Sequence, residues 1–166
     1  MVSVEFLKTH IAYDPLTGVF VWIAPRSTRL KPGDVAGRVS NRGYRHIMLN
    51  NRRYAAHHLA WLWVYGVLPS REIDHINGNR DDNRVINLRE ATRSENQQNV
   101  GKRSDNSSGF TGVSWNAKTK SWKAQIAVNK KKIHIGLFSD PSTAHQAYLS
   151  AKRALHIFQP EPRSTT

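Results

Sequence analysis

The chain has 166 residues and no cysteine, which excludes disulfides and zinc sites built from thiolates. Its 25 lysine and arginine residues outnumber its 12 aspartate and glutamate residues, so the net charge is +13. Such an excess favours polyanionic partners because neutralised phosphates release counterions, although a purely structural basic protein has a similar composition. The N-terminus does not resemble a signal peptide, and the longest apolar run (59–65) is too short to span a bilayer. We therefore expect a cytoplasmic protein without a membrane partner.

The first third of the chain predicts a small antiparallel sheet followed by a core helix. Turn residues at 13–18 precede a predicted strand over 19–22, and the Asn50-Asn51 turn joins strands over 44–49 and 52–54. Residues 55–67 are apolar almost all round, which is typical of a buried helix, and Gly66 is expected to end it. His57 and His58 near its start have two readings: contacts to a metal or phosphate, or ordinary helix histidines.

The next segment carries the residues best suited to chemistry. Asp74 and His75 lie on a predicted strand over 72–76, and a loop leads from there to a second strand over 88–91. Thr92 and Glu95 form a capping box for a helix that carries Asn96. An aspartate that can hold a hard cation, beside a histidine that can take a proton, is the minimum set for metal-assisted hydrolysis. Strand, loop, strand and helix would bring Asp74, His75 and Asn96 together, whereas the adjacent Asp81 and Asp82 are expected to lie in a solvated loop.

The ordered set 74–79, 83–84, 87–88 and 94–99 resembles the HNH endonucleases of phages and mobile introns, most closely the homing type, and the likeness covers roughly residues 10–100. The resemblance implies a ββα-metal fold. It also implies that His75 is the general base, that Asp74 and Asn96 hold one divalent cation, and that Asn87 orients the loop and the histidine. Many such nucleases carry a histidine where this chain has Asn96. Oxygen donors alone suit Mg²⁺, or else Mn²⁺.

A polar, glycine- and serine-rich stretch over 101–108 predicts a linker, and a second domain follows over 109–158. Residues 121–128 alternate strictly, with Trp122 and Ala124 on one face and Lys123 and Gln125 on the other. Neighbouring strands over 110–115 and 132–138 complete a three-stranded sheet, and a helix from about 139 to 156 would cover its apolar face. Residues 159–166 are predicted to be a flexible tail.

Residues 107–158 resemble the AP2 DNA-binding domain through Gly112-Val113, Trp122, the run 135–138 and the run 144–148. The resemblance implies that the polar face of the sheet contacts DNA. Lysines replace most of the arginines of that family, so we expect loose sequence preference. Trp115 has two readings, a DNA contact or a core residue. The residues predicted to bind DNA in the whole chain are Arg42, Arg52, Arg53, Lys102, Arg103, Trp115, Lys118, Lys120, Lys123, Gln125, Lys130, Lys131 and Lys132.

These observations predict an α+β protein with two domains. The nuclease domain spans residues 1–100 and begins with the small sheet and the helix, and a DNA-binding domain follows at the C-terminus. The predicted function is metal-dependent hydrolysis of double-stranded DNA, in the cytoplasm of a host cell if the gene belongs to a phage. No small-molecule cofactor is expected. A monomer would nick one strand, and a homodimer could cut both. The alternative is a non-catalytic, transcription-factor-like DNA-binding protein with a degenerate nuclease domain; a role on RNA is a third reading.

Overall fold

The computed structural model describes residues 2–25, 29–99, 106–129 and 131–156. These residues form four α-helices and ten strands in small antiparallel sheets, in agreement with the predicted α+β class. They divide into two compact units between Thr92 and Arg93. Most of the predicted linker and all of the predicted tail lie outside the described residues. No helix within the described ranges is both long enough and apolar enough to cross a membrane.

The first unit begins with a short helix that sequence patterns did not predict. Helix α1 (Val4–His10) is capped by the Ser3 hydroxyl, which accepts the Phe6 N–H at 3.2 Å. A two-stranded hairpin and a three-stranded sheet follow, made of β1 (Ile11–Asp14), β2 (Val19–Trp22), β3 (Arg38–Val39), β4 (Arg45–Leu49) and β5 (Arg52–Ala55). Asn50 and Asn51 join β4 to β5 with positive φ angles of 48° and 59°, as the predicted tight turn requires.

The core of the first unit is built around the predicted buried helix. Helix α2 (Ala56–Tyr65) ends at Gly66, whose φ of 74° is left-handed. Leu59 of α2 is fully buried, together with Phe20 of β2 and Ile47 of β4. A second hairpin follows α2 and carries the candidate site: β6 (Glu72–His75), a 3₁₀ helix (Val85–Asn87) and β7 (Leu88–Ala91). Ile73 of β6 and Leu88 of β7 belong to the same buried cluster as Leu59, so the hairpin that carries the candidate site is anchored in the core around α2.

The second unit contains the three strands and the helix predicted for the C-terminal half, preceded by a short helix, α3 (Arg93–Gln98). Strands β8 (Val113–Asn116), β9 (Ser121–Val128) and β10 (Lys131–Phe138) form one antiparallel sheet with β9 in the centre. Helix α4 (Pro141–Leu155) is capped by the Asp140 carboxylate, which accepts the Thr143 N–H at 2.7 Å. Ala144 of α4 packs with Val113 and Ala124 in a small core, because alternate residues of the strands face the helix.

Candidate active site

Asp74 and His75 are the last two residues of β6, and both are buried, with 5% and 4% of their surfaces exposed. In the pairing of β6 with β7, Asp74 lies directly opposite Arg89. The Arg89 guanidinium donates from Nε to Asp74 Oδ2 at 2.9 Å, and its Nη2 lies 2.8 Å from the same oxygen. A buried carboxylate is costly unless it is compensated, and the Arg89 guanidinium provides that compensation for Asp74.

The loop between β6 and β7 is closed by Asn87. Its side-chain oxygen accepts the Asn77 N–H at 3.0 Å, and its Nδ2 donates to the Asp82 carbonyl at 2.9 Å. Its own carbonyl accepts the Ile76 N–H at 2.9 Å. The side-chain amide of Asn87 thus links the start of the loop at Asn77 to its middle at Asp82, and this fixes the turn of the chain after His75.

Asp81 and Asp82 lie in the loop as expected, and the Asp81 side chain is 34% exposed, but both carboxylates are paired with arginines and are not simply solvated. Arg45 of β4 forms a two-point ion pair with Asp81 at 2.8 and 2.9 Å. Asp82, whose side chain is 10% exposed, pairs with Arg84 at 2.6 Å. Its hydrogen bond with Arg84 lowers the pKa of Asp82, which also accepts from the Asn77 Nδ2 at 2.7 Å. The two carboxylates therefore stabilise the conformation of the loop. Sequence patterns did not reveal their arginine partners.

The ring of His75 lies among other aromatic side chains. The centroid of the His57 ring is 5.0 Å from that of His75, with the planes almost perpendicular, and the Tyr44 ring is 5.9 Å away. His57 is 7% exposed and also contacts Tyr44 and His58. Burial, followed by the neighbouring histidines, lowers the pKa of His57 to about 3, so this ring is neutral near pH 7. Sequence reasoning left His57 and His58 undecided, and the structure places His57 beside the candidate base.

Burial also lowers the pKa of His75, although the side chain of Asn83 and the charges of Asp74 and Asp82 act in the opposite direction. The net effect keeps the imidazole neutral at neutral pH. A neutral imidazole can accept a proton from water, which is what a general base must do.

Two residues of the β1–β2 hairpin contact the loop, and neither was singled out from the sequence. The Tyr13 hydroxyl donates to the carbonyl of Asn83 at 2.8 Å. Gly18, with a φ of 73°, lies so close to the loop backbone that a Cβ there would be 2.4 Å from the Arg84 backbone nitrogen. The only available sequence signal was the turn pattern before Val19, which indicates a hairpin but not its partner.

The residues predicted to contact DNA are distributed over both units. In the first unit Arg42, Arg52 and Arg53 are exposed around the β4–β5 hairpin. In the second unit Lys123, Gln125 and Lys132 share the sheet face opposite the buried Ala124, together with His134, which sequence reasoning missed. The remaining described members are exposed at or near turns: Lys118, Lys120 and Lys131. The predicted DNA contacts Lys102, Arg103 and Lys130 lie outside the described residues.

Trp115 is 51% exposed, but it lies on the helix-covered side of the sheet. It pairs with Trp122 across β8 and β9, and their ring centroids are 5.1 Å apart. Paired residues of an antiparallel sheet share a face, so Trp115 is on the opposite side from Lys123. Its place beside Trp122 favours packing, while its exposed part is open to a ligand from the edge of the sheet.

Comparison with known proteins relates part of this chain to one family. Residues 54–98, from β5 to α3, match the family model of the HNH endonucleases, so the chain contains an HNH endonuclease domain there. Protein 3.8 of Escherichia phage T7 is 33% identical over 76 residues, covering 45% of this chain and 63% of that protein. The chain thus aligns with less than two thirds of its phage relative. No solved structure matches the chain significantly.

HNH nucleases generally use a divalent metal ion, and the donors around β6 fit a weakly held, hard cation. Asp74 supplies a buried carboxylate next to a neutral imidazole. Within the described ranges, no group of three or more histidine and acidic side chains could hold an ion alone. An ion here would take most of its ligands from water and substrate, as Mg²⁺ commonly does. Asn96, the second predicted ligand, lies on α3 in the second unit, and its role stays a prediction.

Proposed function

We propose that the protein is a metal-dependent endonuclease of double-stranded DNA. The observation that carries this proposal is the buried Asp74-His75 pair at the end of β6, inside the segment that matches the HNH family. The homing type of HNH nuclease, suggested by the motif residues, is part of the same proposal. The net charge of +13 supports DNA as the partner.

In the proposed reaction His75 acts as the general base. Its neutral imidazole takes a proton from a water molecule, whose oxygen attacks phosphorus while the bond from phosphorus to the 3′ oxygen breaks. Asp74 and Asn96 are the proposed ligands of one divalent cation, Mg²⁺ or else Mn²⁺. When bound, this ion supplies Lewis-acid stabilisation of the charge on the phosphate and leaving oxygens.

The other residues hold this pair in position. Arg89 holds the buried Asp74 carboxylate through the contacts at 2.8 and 2.9 Å. Asn87 closes the loop that follows His75, and it is proposed to orient the histidine without binding metal. An ordered loop matters because a general base must lie within hydrogen-bonding reach of the attacking water.

The C-terminal sheet is proposed to position the nuclease on DNA as an AP2-like reader. The open face carries Lys123, Gln125 and Lys132, and the adjoining turns carry Lys118 and Lys120. A three-stranded sheet can place such a face in a major groove. Lysines contact phosphates as point charges, so this unit would contribute affinity more than sequence discrimination.

The experiment is a supercoiled-plasmid assay with Mg²⁺ or Mn²⁺. The wild type should give open-circular or linear DNA, and a chelator should abolish the reaction. His75→Ala should lower the rate at least about 100-fold, because a general base typically contributes that much. His10→Ala is the matched control, since His10 stacks on Phe6 in α1 and should be dispensable.

A non-catalytic DNA-binding protein is the second candidate, because the arginine on Asp74 competes with a cation for the same oxygen. If wild type and His10→Ala bind DNA but leave the plasmid intact with several divalent metals, the nuclease proposal is wrong and this candidate replaces it.

A further inference from the structure

A groove of about 620 Å³ lies beside the candidate base in the first unit. It is formed by the turn before β4 and by side chains of β4 and β5. The turn is held by two backbone hydrogen bonds of 2.8 Å, from Ser40 to Tyr44 and from Gly43 to Ser40. The groove is therefore a preformed feature of the sheet. Its lining residues are Ser40, Asn41, Arg42, Tyr44, His46 and Arg53.

The charge of this groove is positive and uncompensated. Arg42 and Arg53 are both exposed, and within the described parts of the chain no carboxylate lies within ion-pair distance of either. In the same unit Arg45, Arg84 and Arg89 each pair with an aspartate. The lining contains no acidic residue. Two guanidinium groups with no ion-pair partner among the described residues suit an anion, because a guanidinium can donate two parallel hydrogen bonds to phosphate oxygens.

A second, independent feature points to a ligand. The Ser40 hydroxyl oxygen is buried and has no hydrogen-bond partner among the described residues. Buried polar atoms are nearly always satisfied, so a hydroxyl in the wall of a groove with no partner among the described residues suits a ligand that enters the groove. A serine hydroxyl can rotate to donate to an anionic oxygen.

Tyr44 connects the groove to the candidate base. One tyrosine ring both lines the groove and lies 5.9 Å from the His75 ring, centroid to centroid. The Arg80 guanidinium is 4.9 Å from the centre of the Tyr44 ring and donates to the Arg42 carbonyl at 2.9 Å. Only the Tyr44 side chain thus separates the groove from the His75 ring. The Arg80 guanidinium adds a third positive charge next to the groove.

We propose that this groove binds a backbone phosphate of the DNA, close to the phosphate that is cleaved. Arg42 and Arg53 contact its oxygens, and the Ser40 hydroxyl donates a further hydrogen bond. The identity of the ligand as DNA depends on the proposed function, while the anion site follows from the groove itself. Such a site would set the register of the strand relative to His75.

The test measures DNA affinity across a salt series, with His75→Ala in every protein so that cleavage does not interfere. Removing one phosphate contact should lower the slope of log K against log salt by about 0.9. We expect this loss for Arg42→Ala and for Arg53→Ala. Lys31→Ala removes one exposed positive charge in the loop between β2 and β3 and should leave the slope unchanged. Ser40→Ala should weaken binding at an unchanged slope.

A second measurement locates the phosphate. DNA duplexes with a single neutral methylphosphonate at successive positions are compared for binding to the same proteins. At one position the neutral link should weaken binding by the His75→Ala parent clearly more than it weakens binding by Arg42→Ala or Arg53→Ala, because each variant has already lost one of the two contacts to that phosphate. If no position shows this coupling, or if the arginine variants behave like Lys31→Ala, the proposal is wrong. If the coupling is observed but the wild type never nicks plasmid, the phosphate site is supported and the nuclease proposal is wrong.

Discussion

His57 shows how strongly a single residue depends on its surroundings. It is 7% exposed, its ring faces His75 and Tyr44, and its Nδ1 has no hydrogen-bond partner among the described residues. A phenylalanine would fill the same space without leaving a polar atom unsatisfied, so the histidine costs stability. Packing of this neutral ring against His75 limits the positions open to the proposed base.

The lowered pKa of His57 predicts an acid-dependent loss of stability. The folded protein binds the His57 proton only near pH 3, whereas the unfolded chain binds it near the ordinary value of 6.5. This contribution is fully present above pH 6.5 and decreases as the pH falls below that value. At pH 5 the free energy of unfolding should be lower by about 2 kcal/mol, because each pH unit below the ordinary pKa costs roughly 1.4 kcal/mol.

Urea unfolding of the wild type and His57→Phe at pH 7 and pH 5 measures this effect. The free energy of unfolding of the variant, relative to the wild type, should rise on going from pH 7 to pH 5, because the variant lacks the titrating group. A difference that stays constant over this range would contradict a buried, neutral His57.

At the scale of elements, the β1–β2 hairpin supports the loop that follows His75, although it lies outside the segment that matches the HNH family. The Tyr13 hydroxyl holds the Asn83 carbonyl, and burial raises the pKa of Tyr13 to about 12, so the hydroxyl remains a donor at all ordinary pH values. Gly18 lets the hairpin approach the Asn83–Arg84 backbone. The hairpin thus acts as a buttress for the proposed active site.

Gly18→Ala should therefore disturb the loop, and Gly33→Ala is the matched control. Both glycines have positive φ, 73° and 91°, so both substitutions carry a similar backbone strain. A Cβ at Gly33 meets nothing within 4 Å, whereas one at Gly18 clashes with backbone. Gly18→Ala should lose about 1–3 kcal/mol more stability than Gly33→Ala, and it should slow plasmid nicking more. Equal losses in thermal or urea unfolding would show that the close contact is unimportant.

Over the whole sequence, positive charge is concentrated C-terminal to the proposed catalytic residues. Residues 1–98 have a net charge of +5, whereas the much shorter stretch 99–134 has +7. Lys123 and Lys132 of this stretch lie on the open face of the second unit. This distribution supports the proposed division in which the residues up to Asn96 cleave and the C-terminal sheet supplies electrostatic affinity.

Lys123→Ala and Lys132→Ala test that division of labour. Each should weaken DNA binding by a similar factor on unrelated sequences and reduce the salt slope by about 0.9, with the rate at saturating DNA unchanged. Anisotropy titrations and single-turnover nicking measure the two quantities, and Lys31→Ala serves again as the charge-matched control. If Lys123→Ala and Lys132→Ala bind DNA like Lys31→Ala, the open face of the sheet does not contact DNA.

The local elements were largely predictable because their signals are local. Alternation marked β9 from Ser121 to Val128, paired asparagines marked the β4–β5 turn, and Gly66 marked the end of α2. Helix α1 was missed, because its seven residues are too few for a clear helical period and its cap is a single serine. The bounds of β8 were also wrong at the start, since residues 110–112 precede the strand.

The sequence by itself predicted the class of site, because Asp74, His75 and Asn87 occur in an order that the short-range pairing of β6 with β7 brings into one hairpin. Only the tertiary structure decided what surrounds them. The Tyr13 hydroxyl reaches Asn83, 70 residues away, and Arg45 pairs with Asp81, 36 residues away. Contacts between residues so distant in the chain depend on how whole elements pack. The sequence also does not show whether an aspartate will pair with an arginine or bind a metal ion. The environment of His75 was therefore visible only after folding.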